Sequence, residues 1–273
     1  MIKTNYHTHN KLCKHAVGNI EDYVLKAIEL NYSELGLTDH MPMIEEIESQ
    51  VNTRRMSFDE YYNQYLPEMD DVIKKYSSKI KIYRGLEVEY LEAMLDKINM
   101  FHDQLDYLIL GQHYIYYDNQ YISVYSNLKE EHLKCYESTV IKAMKSGLFK
   151  ILAHPDLYLW SVRVWNDTCE EIALNIIKAA IECDVVLEIN ANGIRNCIIR
   201  DKFTTHCENG NIVRYYSYPN YYFFKLAKDL GAKIIVNEDV HDPLFLSDSA
   251  TKEAFKLAKE LKIDLVKRIN FEK

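Results

Sequence analysis

Short apolar runs alternate along this chain with longer stretches in which apolar side chains recur every three or four positions. The strand-like runs are Ile2 to Tyr6, Ser33 to Thr38, Ile80 to Val88, Tyr107 to Leu110, Lys150 to Ala153, Val185 to Ile189 and Lys233 to Val236. Helical spacing falls between them. Ile20 to Leu30 places Val24, Ala27, Ile28 and Leu30 on one face. Phe58 to Tyr76 reads as a helix that Pro67 should kink or interrupt. Glu92 to Phe101 and Lys129 to Ser146 follow, the second stopped by Gly147. Thr168 to Cys183 carries Thr168 as its N-cap and Glu171 in capping-box position. Tyr221 to Leu230 is closed by Gly231, Ser249 to Leu261 is the last helix, and Ile263 to Val266 reads as a terminal strand. Three stretches carry no clear period: Met41 to Met56, the Tyr-, Asp- and Asn-rich Tyr114 to Asn127, and the polar Asn192 to Pro219. These are expected to be long loops.

Strand, helix, strand in repetition means a parallel sheet covered by helices. The first expectation is an α/β fold, a distorted (β/α)7 barrel; an open doubly wound sheet is the second. The 273 residues suit one barrel domain spanning 1–273, and no composition shift, linker or internal repeat marks another.

The formal net charge of −8 leaves no basic face for DNA or RNA, though a local basic pocket for a small anion remains open. No apolar run is long enough to span a membrane, and no signal-peptide pattern opens the chain, so a cytoplasmic location is expected. None of the six cysteines forms a C-x-x-C pair, so they read as reduced thiols. Cys13 lies among histidines and is expected to neighbour them rather than to ligate.

Those histidines carry the chemistry. His7 and His9 are two apart at the end of an extended run, so both rings can face one point. Of ten histidines, His7, His9, His15, His40, His113, His154 and His241 fall at or just past the end of a predicted strand. Asp39, Glu87 and Asp239 share that placement. In a barrel these strand ends converge on one rim, which carries the active site. Residues distant in sequence would meet there as a shell of imidazole and carboxylate, a ligand set suited to Zn, Fe or Mn. Any one of these histidines alone would read as an ordinary loop or core residue; their shared position argues otherwise.

The motifs at those positions are His7-x-His9 with His15, Thr38-Asp39-His40, Gly85-Leu86-Glu87, His113, Ala153-His154-Pro155 and Asp239-Val240-His241. In this series, over nearly the whole chain, the sequence resembles the PHP family of metal-dependent phosphoesterases. Glu238 stands where that family often has Ser. The run Glu188-Ile-Asn-x-x-Gly-x-Arg195 resembles the histidinol-phosphate phosphatase branch. The resemblance implies two or three divalent ions (Zn, Fe or Mn). His7, His9, Glu87 and Asp239 would hold one; Glu87 would bridge to a second, with His113 and His154; His15, His40 and His241 would hold a third. It also implies hydrolysis of a small phosphorylated amino alcohol, L-histidinol phosphate, in histidine biosynthesis. The rival readings are a PHP phosphoesterase for another small phosphomonoester or nucleotide, and a metal-binding module without catalysis.

Adjacent metals would activate water and neutralise phosphoryl charge. Asp239 and His241 are the candidate catalytic side chains, with Asp239 or a metal-held water protonating the leaving alkoxide. An arginine fork fits phosphate, and Arg195 is the first candidate and Arg163 the second. Tyr117, Asp118 and Trp160 are candidates for the substrate's amine and imidazole. Glu89 and Asp39 are expected to orient ligands from outside.

Overall fold

The computed structural model describes residues 3–51 and 53–272. Ile2, at the head of the first predicted strand, lies outside them. From β1 (Thr4–Asn5) the chain runs through α1 (Ile20–Glu29), β2 (Glu34–Leu37), α2 (Glu45–Val51), α3 (Phe58–Glu60), α4 (Leu66–Tyr76), β3 (Lys81–Val88), α5 (Leu95–Gln104) and β4 (Tyr107–Leu110). A hairpin of β5 (Tyr114–Tyr117) and β6 (Gln120–Ser123) precedes α6 (Glu130–Lys145), β7 (Ile151–Leu152), α7 (Asp167–Glu182), β8 (Val186–Asn190) and α8 (Ala191–Arg200). A second hairpin, β9 (Phe203–Glu208) with β10 (Asn211–Tyr216), leads into α9 (Tyr221–Asp229), β11 (Ile234–Asn237) and α10 (Ser249–Glu260).

Seven strands pair in parallel in the order β1-β2-β3-β4-β7-β8-β11. The sheet curls until its ends nearly meet: His9 N–H donates to the Val240 carbonyl at 3.0 Å, beside a parallel bridge between Thr8 and Val240. This near-closure makes the fold a distorted (β/α)7 barrel and excludes the open sheet. All residues of β2, β4, β8 and β11 are buried, as expected of parallel strands covered on both faces.

The barrel interior is apolar at one end and polar at the other. Period two puts Tyr83 and Glu87 on one face of β3, and Val186 and Glu188 on one face of β8. The lower residues join Tyr6, Tyr107, Ile109, Ile151 and Ile235 in a separate apolar cluster. The C-terminal segment seals it. Phe271 stacks on Tyr107 with ring centroids 4.0 Å apart and meets Tyr83 and Tyr6 edge-on at 4.8 and 5.2 Å. Ile269 N–H reaches the Tyr6 hydroxyl at 3.3 Å. Burying Ile269 and Phe271 there stabilises the barrel by roughly 1.5–3 kcal/mol each. Ile263 to Val266 is not a strand; only Val266 N–H bonds back to β11, at Ile234 O.

Four other expectations are corrected. Met41 to Met56 contains α2, in which Ile47 is the one buried residue, too little to set a period. Pro67 does not interrupt its helix: a π-helical turn over Tyr61–Tyr65 runs straight into α4, and its wider pitch makes room for the proline ring and its missing N–H. Both polar "loops" contain hairpins, turned at Asp118-Asn119 and Asn209-Gly210 with all four residues at positive φ. The second also contains α8. The N-cap of α7 is Asn166, which accepts from Cys169 N–H at 3.0 Å, not Thr168. Among the described residues no helix is long and apolar enough to cross a membrane.

Candidate metal centre

The polar end of the barrel gathers every candidate ligand. Glu87 stands at its middle. Its Oε2 lies 2.9 Å from His40 Nδ1, 3.4 Å from His9 Nε2 and 3.5 Å from His7 Nε2. Its Oε1 lies 2.9 Å from His154 Nε2 and 3.7 Å from His113 Nε2. Asp239 Oδ1 is 3.1, 3.6 and 3.4 Å from His9 Nε2, His7 Nε2 and His241 Nδ1. His15 stands exposed at the rim, its ring centroid about 5 Å from those of His40 and His241. Two of these residues are at positive φ, His154 at 32° and Asp239 at 47°, a backbone region that non-glycine residues occupy at a cost and usually where a site demands it.

An outer ring of acceptors sets the direction of the rings. His7 Nδ1 meets Glu188 at 2.9 Å, His9 Nδ1 meets Asp39 at 3.3 Å, and His113 Nδ1 meets Glu89 at 2.8 Å. His15 Nδ1 meets the Cys13 carbonyl at 2.8 Å. Each partner accepts, so Nδ1 carries the proton and the Nε2 lone pair turns inward. Glu89 and Asp39 thus occupy the outer positions expected of them. Glu188 joins them; the sequence marked it only as the start of a motif, although its two-residue spacing from Asn190 puts both on one face of β8. Asn190 and Asn192 both donate to Asp239 Oδ2, leaving Oδ1 pointed into the cage.

The inward surface therefore consists almost wholly of lone pairs. His7 and His9 face each other with Nε2 atoms 3.1 Å apart, and buried Asp239 Oδ1 and His40 Nδ1, though close to His9 and Glu87, make no well-aligned hydrogen bond. Such a set fits divalent cations. Among the groups whose donor atoms lie within 4.8 Å of one another are His7, His9 and Asp239; His40, Glu87 and His113; His9, His40 and His241; and His9, Cys13 and Asp39. His40 thus stands with Glu87 and His113 as well as with His15 and His241. Cys13 Sγ also comes within 4.8 Å of His15 and His241 donors. Burial disfavours charge on His7 and His9, but Glu188, Asp239 and Asp39 overcome it and raise both rings well above their usual range. Burial likewise opposes ionisation of Glu87 and Asp239, but the surrounding imidazoles hold both well below the carboxylate range. Burial, reinforced by the charge of Arg55, pushes His40 down. Without a metal, the carboxylates draw protons onto the very rings that would ligate it.

A cavity of about 540 Å³ opens above the cage. Trp160 lines it, as expected, together with Tyr125, Asn192 and Asn196. The hairpin tip carrying Tyr117 and Asp118 does not; both are exposed, and Tyr117 packs against His132. Neither Arg195 nor Arg163 lines it either. Arg195 is clamped bidentate to Asp248 at 2.9 and 3.0 Å, donates to Glu238 O at 2.8 Å and lies over the Phe245 ring. Arg163 is exposed, and its carbonyl pairs with Thr205. The cavity's arginines are Arg55 and Arg200, which the sequence did not single out. Arg55 lay in a stretch without a period, and Arg200 in one read as a loop. Glu238, in the place of the usual Ser, is buried and accepts from Ser247 N–H, Thr251 Oγ1 and Tyr32 hydroxyl, so it builds its own support beneath Asp239.

A family profile described as "PHP domain" matches residues 5–192. A relative from Deinococcus radiodurans, named "Probable histidinol-phosphatase", is 25% identical over 245 residues, which cover 87% of this chain and 85% of that protein. A Listeria monocytogenes structure, assigned as a histidinol phosphatase, superposes with a TM-score of 0.73 at 21% identity, covering 92% of this chain and 99% of its own. The histidinol phosphate phosphatase of Lactococcus lactis, solved with Zn, L-histidinol and phosphate, gives a TM-score of 0.68 at 19% identity and covers 97% of this chain and 95% of its own. The two superpositions establish a shared fold.

Proposed function

The chain belongs to the PHP domain family, and from that premise we propose that it is a metal-dependent phosphomonoesterase that hydrolyses L-histidinol phosphate to L-histidinol and phosphate, as a step of histidine biosynthesis in the cytoplasm. One observation carries the reading. A closed set of imidazole lone pairs and ionised carboxylates, oriented from outside by Glu188, Asp39 and Glu89, forms the floor of a cavity of small-molecule size. The name of the Deinococcus relative and the zinc, L-histidinol and phosphate in the Lactococcus structure support it.

His7, His9, Glu87 and Asp239 would hold one ion; Glu87, His113 and His154 a second; His15, His40 and His241 a third. Mixed nitrogen and oxygen donors suit Zn, Fe or Mn, and two or three ions fit the set. When bound, the metals supply charge neutralisation for the phosphoryl oxygens and activation of the attacking water. The chain's own residues do the rest. Glu188, Asp39 and Glu89 fix the imidazole tautomers, and the amides of Asn190 and Asn192 aim Asp239. His7 and His9 favour the ionised form of Asp239, which suits it to hold a metal, and a water would then supply the proton for the leaving alkoxide. Tyr125 and Trp160, with rings 5.2 Å apart and perpendicular, offer faces to an imidazole, and the Asn192 and Asn196 amides offer acceptors to an amine.

The test is phosphate release by metal-loaded protein from L-histidinol phosphate, an aryl phosphate and a nucleotide monophosphate. A kcat/KM for histidinol phosphate orders of magnitude above the others is expected. Comparable weak turnover of all three would discard the histidinol assignment and leave a phosphoesterase for another small monoester. No turnover with any metal would discard catalysis.

A further inference from the structure

Arg55 is 6% exposed, yet its Nε and Nη1 have no hydrogen-bond partner. Its Nη2 donates to Glu89 Oε1 at 2.9 Å. That same oxygen takes His113 Nδ1 at 2.8 Å, while Oε2 takes the backbone N–H of His113 at 2.7 Å and of Tyr114 at 3.3 Å. The guanidinium is thus tethered by one nitrogen to the carboxylate that orients His113. Arg55 lines the cavity beside His40, His113, Thr53 and Tyr114, and its Nε and Nη1 lie buried just behind that wall.

A buried cation with unspent N–H groups is expensive, and such a group persists where a ligand supplies the acceptors. The cavity floor is anionic, but its carboxylates are enclosed by imidazoles and Glu87 is itself buried. The other basic side chains near the mouth are placed differently. Arg195 is fully engaged with Asp248, Lys14 pairs with Glu60, and Arg200 is exposed. Among the described basic side chains near the mouth, Arg55 alone combines burial, a tether and unpaired donors. Nε and the Nη groups form a planar fork matched to two oxygens of a phosphate.

We propose that Arg55 grips the phosphoryl group of a phosphate monoester dianion in this cavity, and the released phosphate after it, with Glu89 holding the fork in place. The assignment rests on the phosphomonoesterase reading above for its substrate class. A plain counter-ion to Glu89 is the competing role, and the two separate cleanly.

The experiment compares the wild-type chain with Arg55→Lys and Arg55→Ala, all loaded with zinc. Binding of inorganic phosphate is measured by titration calorimetry, and zinc content by elemental analysis. Arg55→Lys keeps a cation beside Glu89 but loses the fork. The expected result is unchanged zinc content with phosphate affinity lowered about tenfold to a hundredfold in Arg55→Lys, and by at least as much in Arg55→Ala. Wild-type phosphate affinity in zinc-replete Arg55→Lys would overturn the proposal. So would loss of phosphate affinity only in step with loss of zinc, which would make Arg55 a support for His113. A wild-type protein that binds no phosphate overturns it too. Because phosphate itself is the probe, failure to turn over histidinol phosphate would strike the substrate assignment and leave this test standing.

Discussion

Arg195→Ala sets two roles for one residue against each other. The motif Glu188 to Arg195 suggested a phosphate ligand, whose loss would raise KM and leave the metals in place. The structure puts the guanidinium under the Asp239 segment instead, 10% exposed, with two bonds to Asp248 and one to the Glu238 carbonyl. Truncation strands a carboxylate that also caps α10 through Thr251 N–H, and it frees the peptide just before a residue held at positive φ. Breaking a buried ion pair costs about 3–5 kcal/mol, and Asp248, whose side chain is 20% exposed, can recover part of that from water. A loss of roughly 2–4 kcal/mol follows, or a fall in Tm of roughly 5–15 °C for a chain of this size. Asp239 should lose its setting as well, so the zinc retained after loading with zinc should drop below that of the wild type. Differential scanning calorimetry and elemental analysis read both quantities. A Tm within about a degree of wild type, full zinc content and a sharply raised KM would refute the clamp and return Arg195 to the phosphate.

Three further outcomes are expected. Gly111→Ala should lower zinc content while the protein still folds, because a Cβ there would overlap the Glu87 carboxylate that several imidazoles pin in place; full zinc occupancy would show that Glu87 can step aside. Zinc binding at neutral pH should release protons, seen as a buffer-dependent heat. His7 and His9 are raised above their ordinary value of 6.5 in the metal-free protein, so their stabilising protonation is complete below about that pH and is lost as pH climbs through the raised values, while zinc affinity climbs; buffer-independent heats would contradict this. Phe271→Ala should cost about 3–5 kcal/mol by emptying the stack on Tyr107, with zinc content kept, and an unshifted Tm would mean that the C-terminal segment does not seal the barrel.

That these candidate ligands would meet was legible because each sits at a strand end, and a parallel barrel brings all strand ends to one rim. What surrounds the cage was not, because it depends on side-chain direction across long separations. Arg55 meets Glu89 from 34 positions away, inside a stretch whose one helix, α2, buries only Ile47 and so leaves no period. Arg195 was found by its motif but turned by Asp248, 53 positions later. Both hairpins carried readable turns at Asp118-Asn119 and Asn209-Gly210, masked by strands of mostly polar and tyrosine residues that face solvent on one side. Pro67 misled because a π-turn can absorb the strain that an α-turn cannot.

The seam where the first strand meets the last also orders events during biosynthesis. His7 and His9 leave the ribosome more than two hundred residues ahead of Asp239, His241 and the Val240 carbonyl that receives His9 N–H. At roughly 5–20 residues per second, the early histidines wait on the order of ten to fifty seconds for their partners. Throughout that interval the His-x-His pair offers a metal only a partial and unshaped coordination. The native set comes into being only once the last strand is made and the barrel seam zips. Metal selection in this protein is therefore a decision of the closed barrel, governed by what the cell supplies when the seam zips and by how firmly it is shut.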